Sequence, residues 1–198
     1  MQRSSVIVDA TCLIYYSQLK KDYDFFPKLR LLFKSLLIPT EIKNEFARGA
    51  TLEPERNHVL DNIRTKGSFY TLCTSYDMLT KVLLETTKGI DRGEAEAVAQ
   101  HKQVKTRFVL ADDKEFIKAI AIADKHVQVI SSLHVIAMLD LLKYEANAPH
   151  VIRHFHSVYK FKSKELHAAY KQVASWFGIT LSKKELSNKC SLSKILSK

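Results

Sequence analysis

Apolar positions along this chain recur in two rhythms. Short runs at Val6–Val8, Leu37–Pro39, Phe69–Cys73, Arg107–Ala111 and Val127–Ile130 are dense in β-branched and aromatic residues and read as buried strands. Between them the apolar residues return every three or four positions, which is helical spacing. Leu13, Ile14 and Leu19 mark one such helix, and Phe26, Leu29, Leu32, Phe33, Leu36 and Leu37 give 25–37 the same period. Further helices are predicted over 79–87, 91–103, 114–125 and 133–144. Thr40 is placed to cap a helix with Lys43 and Asn44 on its outer face, and Pro54 opens another that Gly67 ends. Strands alternating with helices of this length predict an α/β fold with a central parallel sheet covered by helices on both faces. In such sheets ligands bind beyond the carboxyl ends of the strands.

After Ala148-Pro149 the pattern changes. Val151–Val158 and Leu166–Phe177 read as two further helices, and the tail from Ser182 is rich in Ser, Lys and Leu without a strand signal. The expected organisation is an α/β domain over residues 1–147 and a mainly helical C-terminal extension over 148–198. No internal repeat is visible.

Charge separates these two parts. The 198 residues carry a formal net charge of +10, yet residues 148–198 alone hold ten Lys and Arg against Glu165 and Glu185. A basic surface of this kind attracts phosphate backbones whatever their base sequence. A solubilising tail is the plainer alternative. At 46% hydrophobic and 26% charged residues the composition is that of an ordinary globular protein. No apolar stretch approaches the roughly 18 residues of a membrane span, and no secretory leader precedes the first strand, so a cytoplasmic protein without membrane contact is expected. Cys12, Cys73 and Cys190 are odd in number and far apart, as free thiols in a reducing compartment would be.

Four acidic residues fall where apolar segments end or begin. Asp9 ends Val6-Ile7-Val8, Glu45 follows Ile38-Pro39 on a short helix, Glu94 opens Glu94-Ala95-Glu96-Ala97-Val98-Ala99, and Asp113 ends Phe108–Asp112. Asp9 and Asp113 each follow a strand, and the helices bearing Glu45 and Glu94 begin near the same sheet edge. Carboxylates gathered in this way repel one another unless a cation lies between them.

These segments resemble the motifs of PIN-domain nucleases. Val6-Ile7-Val8-Asp9-Ala10-Thr11 is similar to the family's opening strand with its Asp, a small residue and a hydroxyl or amide residue. Ile38-Pro39-Thr40-Glu41-Ile42-Lys43-Asn44-Glu45 resembles the Pro-x-x-Val-x-x-Glu segment, with Ile42 in the Val place. Asp91-Arg92-Gly93-Glu94-Ala95-Glu96-Ala97 resembles the Gly-Glu-x-Glu-Ala form of the third acidic motif, and Val109-Leu110-Ala111-Asp112-Asp113 the final Thr-x-Asp or Asp-Asp motif. Each match is weak alone; their order over residues 6–142 carries the resemblance. The nearest relatives would be VapC-type toxins and prokaryotic cousins with the Gly-Glu-x-Glu-Ala motif. Two departures stand out: Ala111 occupies the place where the last motif often has Thr, and the family core does not account for residues 148–198.

The resemblance implies a PIN-like three-layer α/β/α fold and a ribonuclease dependent on Mg²⁺ or Mn²⁺, ions that prefer carboxylate and water oxygens. It implies catalytic roles for Asp9, Glu45, Glu94 and Asp113. It implies metal ligation by Asp9, Glu94 and Asp113, with Asp112 beside them and the choice between Asp112 and Asp113 open. Glu45 either binds metal or orients the attacking water, Thr11 donates to Asp9 or to the phosphate, and Arg92 and Lys114 touch substrate. The partners implied are RNA, an antitoxin protein if the chain is the toxin of a toxin–antitoxin pair, and a second copy in a homodimer. A free-standing processing nuclease remains open, as does an inactive PIN-like module that only binds RNA or protein.

Plainer readings accompany each residue. Asp9 and Asp91 would serve as helix caps, and a Glu at a helix start is favoured by the macrodipole in any case. Glu41 and Glu96 are expected at the surface or behind the site. His150, His154, His156 and His167 lack a nearby Cys or fourth ligand for zinc. Tyr144, Tyr159, Tyr170 and Trp176 interleave with lysines as a base-stacking surface would, but helix packing is the favoured reading. A haloacid-dehalogenase-like phosphatase needs Asp where Thr11 stands, and a receiver domain needs its acidic pair near the first strand.

Overall fold

The computed structural model describes residues 3–48, 53–63 and 68–197. Its centre is a five-stranded, all-parallel sheet in the order β3-β2-β1-β4-β5, formed by β1 (Val6–Val8), β2 (Leu36–Pro39), β3 (Tyr70–Cys73), β4 (Val109–Leu110) and β5 (Val129–Ile130). The register pairs Ile7 with Leu37 on one side and with Val109 on the other. Helices flank this sheet in the three-layer arrangement expected for the PIN-like fold. Strand residues Val6, Ile7, Val8, Val109 and Leu110 are all fully buried, which is why these runs lack polar alternation.

The connecting helices are α1 (Ala10–Leu19), α2 (Phe25–Leu32), α3 (Thr40–Arg48), α4 (Glu53–Asn62), α5 (Met78–Glu85), α6 (Arg92–Val104), α7 (Lys114–Ala123), α8 (Ser132–Leu141), α9 (Ala148–Val158), α10 (Ser163–Phe177), α11 (Lys183–Cys190) and α12 (Leu192–Leu196). The helical period of 25–37 is broken: α2 stops at Leu32, and Leu36 and Leu37 leave it for the sheet, where Leu36 pairs with Val6 and Tyr70. Pro54 lies in the first turn of α4; Gly67 lies outside the described residues. The tail, expected only to lack strands, forms α11 and α12, and Ser182 caps α11 reciprocally with Glu185.

The chain packs as two compact units. One comprises Met1–Gln18 and Phe33–Ile130, the other Leu19–Leu32 and Ser131–Lys198. The first holds the sheet and a core that includes Ile7, Val98, Val109, Ala111, Phe116 and Ile120. The second is helical and buries Phe25, Leu29, Ile136, Phe155, Tyr170 and Val173. Its polar interior is paired: Tyr170 Oη donates to Asp140 at 2.8 Å, and Lys189 Nζ donates to the same carboxylate at 2.5 Å. Tyr159 stacks among Phe155 and Phe161, so Tyr159 and Tyr170 serve packing. None of the described helices is long and apolar enough to cross a membrane.

Candidate active site

The chain runs β1 to β3 outward along one side of the sheet, then returns to lay β4 against the other side of β1. The strand order therefore reverses between β1 and β4, the place where open parallel sheets leave a crevice for ligands. Asp9 stands at the end of β1, its amide donating to Leu110 O at 2.8 Å, and Ala111-Asp112-Asp113 leaves β4 directly beside it. Thr40, after β2, starts α3 on the same edge.

Asp9 is 4% exposed. Burial pushes its carboxyl from the ordinary 3.8 up to about 6, against the lowering effect of hydrogen bonds from Thr11, whose side chain and amide both donate to it; the amide lies 3.1 Å from Oδ2. Asp91 adds a like charge. Burial likewise lifts Glu45 from 4.5 to about 7, reinforced by Asp91, Asp9 and Glu41 and opposed by Arg48. Glu94 rises from 4.5 to about 8, first by burial and then through Asp91, Asp9 and Asp113. Asp9, Glu45, Glu94, Asp91 and Asp113 thus act on one another although up to 104 positions separate them.

Local structure explains each placement. Asp91 and Glu94 form a capping box: Glu94 N–H donates to Asp91 Oδ1 at 2.8 Å, and Asp91 N–H to Glu94 Oε2 at 2.9 Å. Asp91 is therefore the cap it was expected to be, and its charge also faces the group. Asp113 caps α7 by accepting from Glu115 N–H at 2.8 Å and Phe116 N–H at 2.9 Å, so its helix role and its nearness to Glu94 coexist. Asp112 is 1% exposed and accepts from the Cys12 thiol at 3.2 Å, turned toward α1. Arg92 is exposed, with Nε 3.8 Å from Glu85, and Lys114 is exposed at the start of α7. An open pocket lined by Gly89, Ile90, Asp91, Glu94, Asp113 and Glu115 adjoins the carboxylates.

Two features of this site went unread in the sequence. Tyr15 feels Asp112, Asp113 and Asp9 at its phenol, and burial and those charges together raise its proton affinity. Its signal was spacing: Tyr15 follows Thr11 by four residues, which puts both on one face of α1. The other is Gly93. A Cβ there would meet the Glu45 carboxylate, whose Cδ and Oε2 lie 2.9 Å from where that carbon would stand. Only a residue without a side chain lets Glu45 rest against the first turn of α6.

The donors are hard carboxylate oxygens, the type that Mg²⁺ and Mn²⁺ take, with no imidazole in the group. Among the described residues no three His, Cys, Asp or Glu side chains stand ready-arranged around a metal ion; Glu94 and Asp113 each turn an oxygen to a helix amide. The fit lies in the electrostatics: acids whose proton affinity is raised by burial, and further by one another, favour a cation that replaces the proton.

An all-parallel α/β sheet with acids collected at its switch point fits a nuclease-type fold. The family described as PIN domain (DUF3368) matches residues 5–175, and the chain belongs to this family. No curated protein and no solved structure matches the chain.

Proposed function

We propose that the protein is a ribonuclease dependent on Mg²⁺ or Mn²⁺, hydrolysing RNA phosphodiester bonds at the Asp9–Glu45–Glu94–Asp113 group. The observation that carries this reading is a set of three carboxyls from three separate elements, Asp9 and Glu94 buried and Glu45 half-buried, whose proton affinities all rise, first through burial and then through the further acids they face. One or two divalent cations held by Asp9, Glu94 and Asp113, with Asp112 behind them, would supply charge neutralisation at the phosphate and acidify the attacking water.

The chain's own groups do the rest. Glu45, poised near neutrality, accepts a proton from the water as its oxygen bonds to phosphorus. The bond from phosphorus to the 3′-oxygen breaks, and that oxygen takes a proton from solvent, leaving a 5′-phosphate and a 3′-hydroxyl. Thr11 fixes the orientation of Asp9 through its two hydrogen bonds. Arg92 and Lys114 contact flanking phosphates, and the basic helices of the second unit hold the RNA backbone.

Within this reading the chain is the toxin of a toxin–antitoxin pair or a processing nuclease, acting in the cytoplasm. One observation favours a protein partner: Met78, Leu79, Val82 and Leu83 of α5 are 50–69% exposed on a single helix, an apolar face whose burial an antitoxin or a second copy would gain from. Incubating the purified protein with single-stranded and structured RNAs in Mn²⁺ or in EDTA tests the activity. Cleavage that needs the ion supports it; RNA bound but uncut in every condition would favour the inactive binding module.

A further inference from the structure

The site described above leaves Glu96 unused, yet it is among the most buried acids in the chain, 2% exposed, on the same helix as Glu94. Its Oε1 accepts from the Thr40 amide at 3.2 Å and from Gln100 Nε2 at 3.2 Å. Its Oε2 accepts from the Glu41 amide at 3.1 Å, with Lys81 Nζ at 3.9 Å. Gln100 also donates to Cys73 O at 2.7 Å, tying the assembly to the end of β3. Thr40 and Glu41 open α3, and their amides have no intrahelical acceptor. Glu96 supplies the acceptors from 55 and 56 residues away, and its charge sits where the helix dipole favours an anion.

We infer that Glu96 is a positioning residue for Glu45, holding α3 by its N-terminus so that the Glu45 carboxylate rests over Gly93. This rests on the nuclease reading of Glu45. The geometry gives α6 two grips on α3. Glu45 follows Glu41 by four residues and so lies on the same face of α3, and Gly93 precedes Glu96 by three residues on the same face of α6. One grip fixes the start of α3; the other leaves the gap that Glu45 fills.

The test is Glu96→Gln, which replaces one acceptor oxygen by an N–H donor facing the α3 amides. Amide exchange at Thr40 and Glu41, read by NMR, should quicken at least about tenfold while the β1 amides keep their rates. In Mn²⁺-dependent RNA cleavage kcat should fall about tenfold, the cost of losing an outer-shell partner. KM should change less than roughly twofold, because binding by the rest of the molecule is untouched. In a Glu45→Ala background the same substitution should cost almost nothing more, since it acts through Glu45. Unchanged exchange at Thr40 and Glu41 would overturn the anchoring, and an equal kcat loss in both backgrounds would overturn the route through Glu45. Inactivity of the wild-type protein would defeat the nuclease reading, while the exchange result would still decide the anchoring. If Glu96→Gln does not fold, Glu96→Asp keeps both oxygens on a shorter stem and serves the same comparisons.

Discussion

Asp140 in the helical unit and Asp9 in the sheet unit are both buried aspartates, 8% and 4% exposed, yet their surroundings are opposite. Asp140 receives the Tyr170 hydroxyl and the Lys189 ammonium, so a cation and a donor built into the fold meet its charge. Asp9 receives hydrogen bonds from the Thr11 side chain and the Thr11 and Ala10 amides, but no cation among the described residues, and the charge pressing on it is another carboxylate, Asp91. Glu45 and Glu94 repeat the second pattern, with Asp9 and Asp91 acting on both. A buried acid with its own lysine is accounted for by folding. Buried acids turned toward one another cost stability, and such a cost is expected where a ligand from outside completes the charge balance.

Substitutions on each side should separate these two kinds of burial. Asp9→Asn should lower metal-dependent cleavage at least about a hundredfold, given that outer-shell partners alone cost 10–100-fold. In the metal-free protein it should leave the melting temperature unchanged or raise it, by relieving like-charge crowding. A lower melting temperature without metal would contradict that expectation. Asp140→Ala should do the reverse. It strands Lys189 and Tyr170 and should cost about 2 kcal/mol in urea unfolding, with kcat unchanged below the transition.

The pH profile sharpens the comparison. Asp9, Glu45 and Glu94 all have folded values above their ordinary ones, about 6, 7 and 8 against 3.8, 4.5 and 4.5. The folded state therefore binds these protons more tightly than the unfolded chain, and their contribution is fully present below about pH 4 and lost as pH rises through about 6 to 8. Melting of the metal-free protein should fall over that window, and Asp9→Asn should flatten the fall. Mn²⁺ should raise the melting temperature more at pH 8 than at pH 5.5, because at the lower pH it must displace protons.

Two smaller effects complete the set. Lys183, Lys184 and Lys194 are exposed on α11 and α12. Changing all three to Gln should reduce the slope of log K against log salt for single-stranded RNA by about 2, if each meets a phosphate. An unchanged slope would assign the basic helices to solubility or to a partner. Substitution is preferable to truncation here, because α9–α12 share a unit with Leu19–Leu32 and α8, and removing them would strip its core. Gly93→Ala should leave stability within about 1 kcal/mol of wild type, as the obstructing atoms are the far end of one flexible side chain and Ala is the better helix former. It should nonetheless lower kcat by shifting Glu45, which steady-state kinetics would report.

The strand-end acids were legible because strands of two or three apolar residues have few places to put a polar residue: Asp9 follows β1 directly, and Asp113 lies just beyond β4 as the cap of α7. The alternation of strands and helices carried the fold class and the sheet edge for the same reason. What stayed hidden is tertiary. Leu36 and Leu37 fit a helical period until β1 offers them a ladder, so α2 looked longer than it is. The helices α11 and α12 bury few side chains (Leu186, Cys190, Leu192 and Ile195), too few to impose a period on a lysine-rich tail. Glu96 reads equally as a surface residue or as one behind the site until the start of α3 arrives from 56 positions away. Gly93 reads as a motif letter until the Glu45 carboxylate is seen resting on it.

The most direct test of the central claim pairs wild type with Asp9→Asn on one single-stranded RNA, in Mn²⁺ and in EDTA, with the termini of the products identified. The acidic group predicts cleavage by wild type in Mn²⁺ only, giving 5′-phosphate and 3′-hydroxyl ends, and no cleavage by Asp9→Asn in either condition. Undiminished cleavage by Asp9→Asn, or equal cleavage in EDTA, would contradict it.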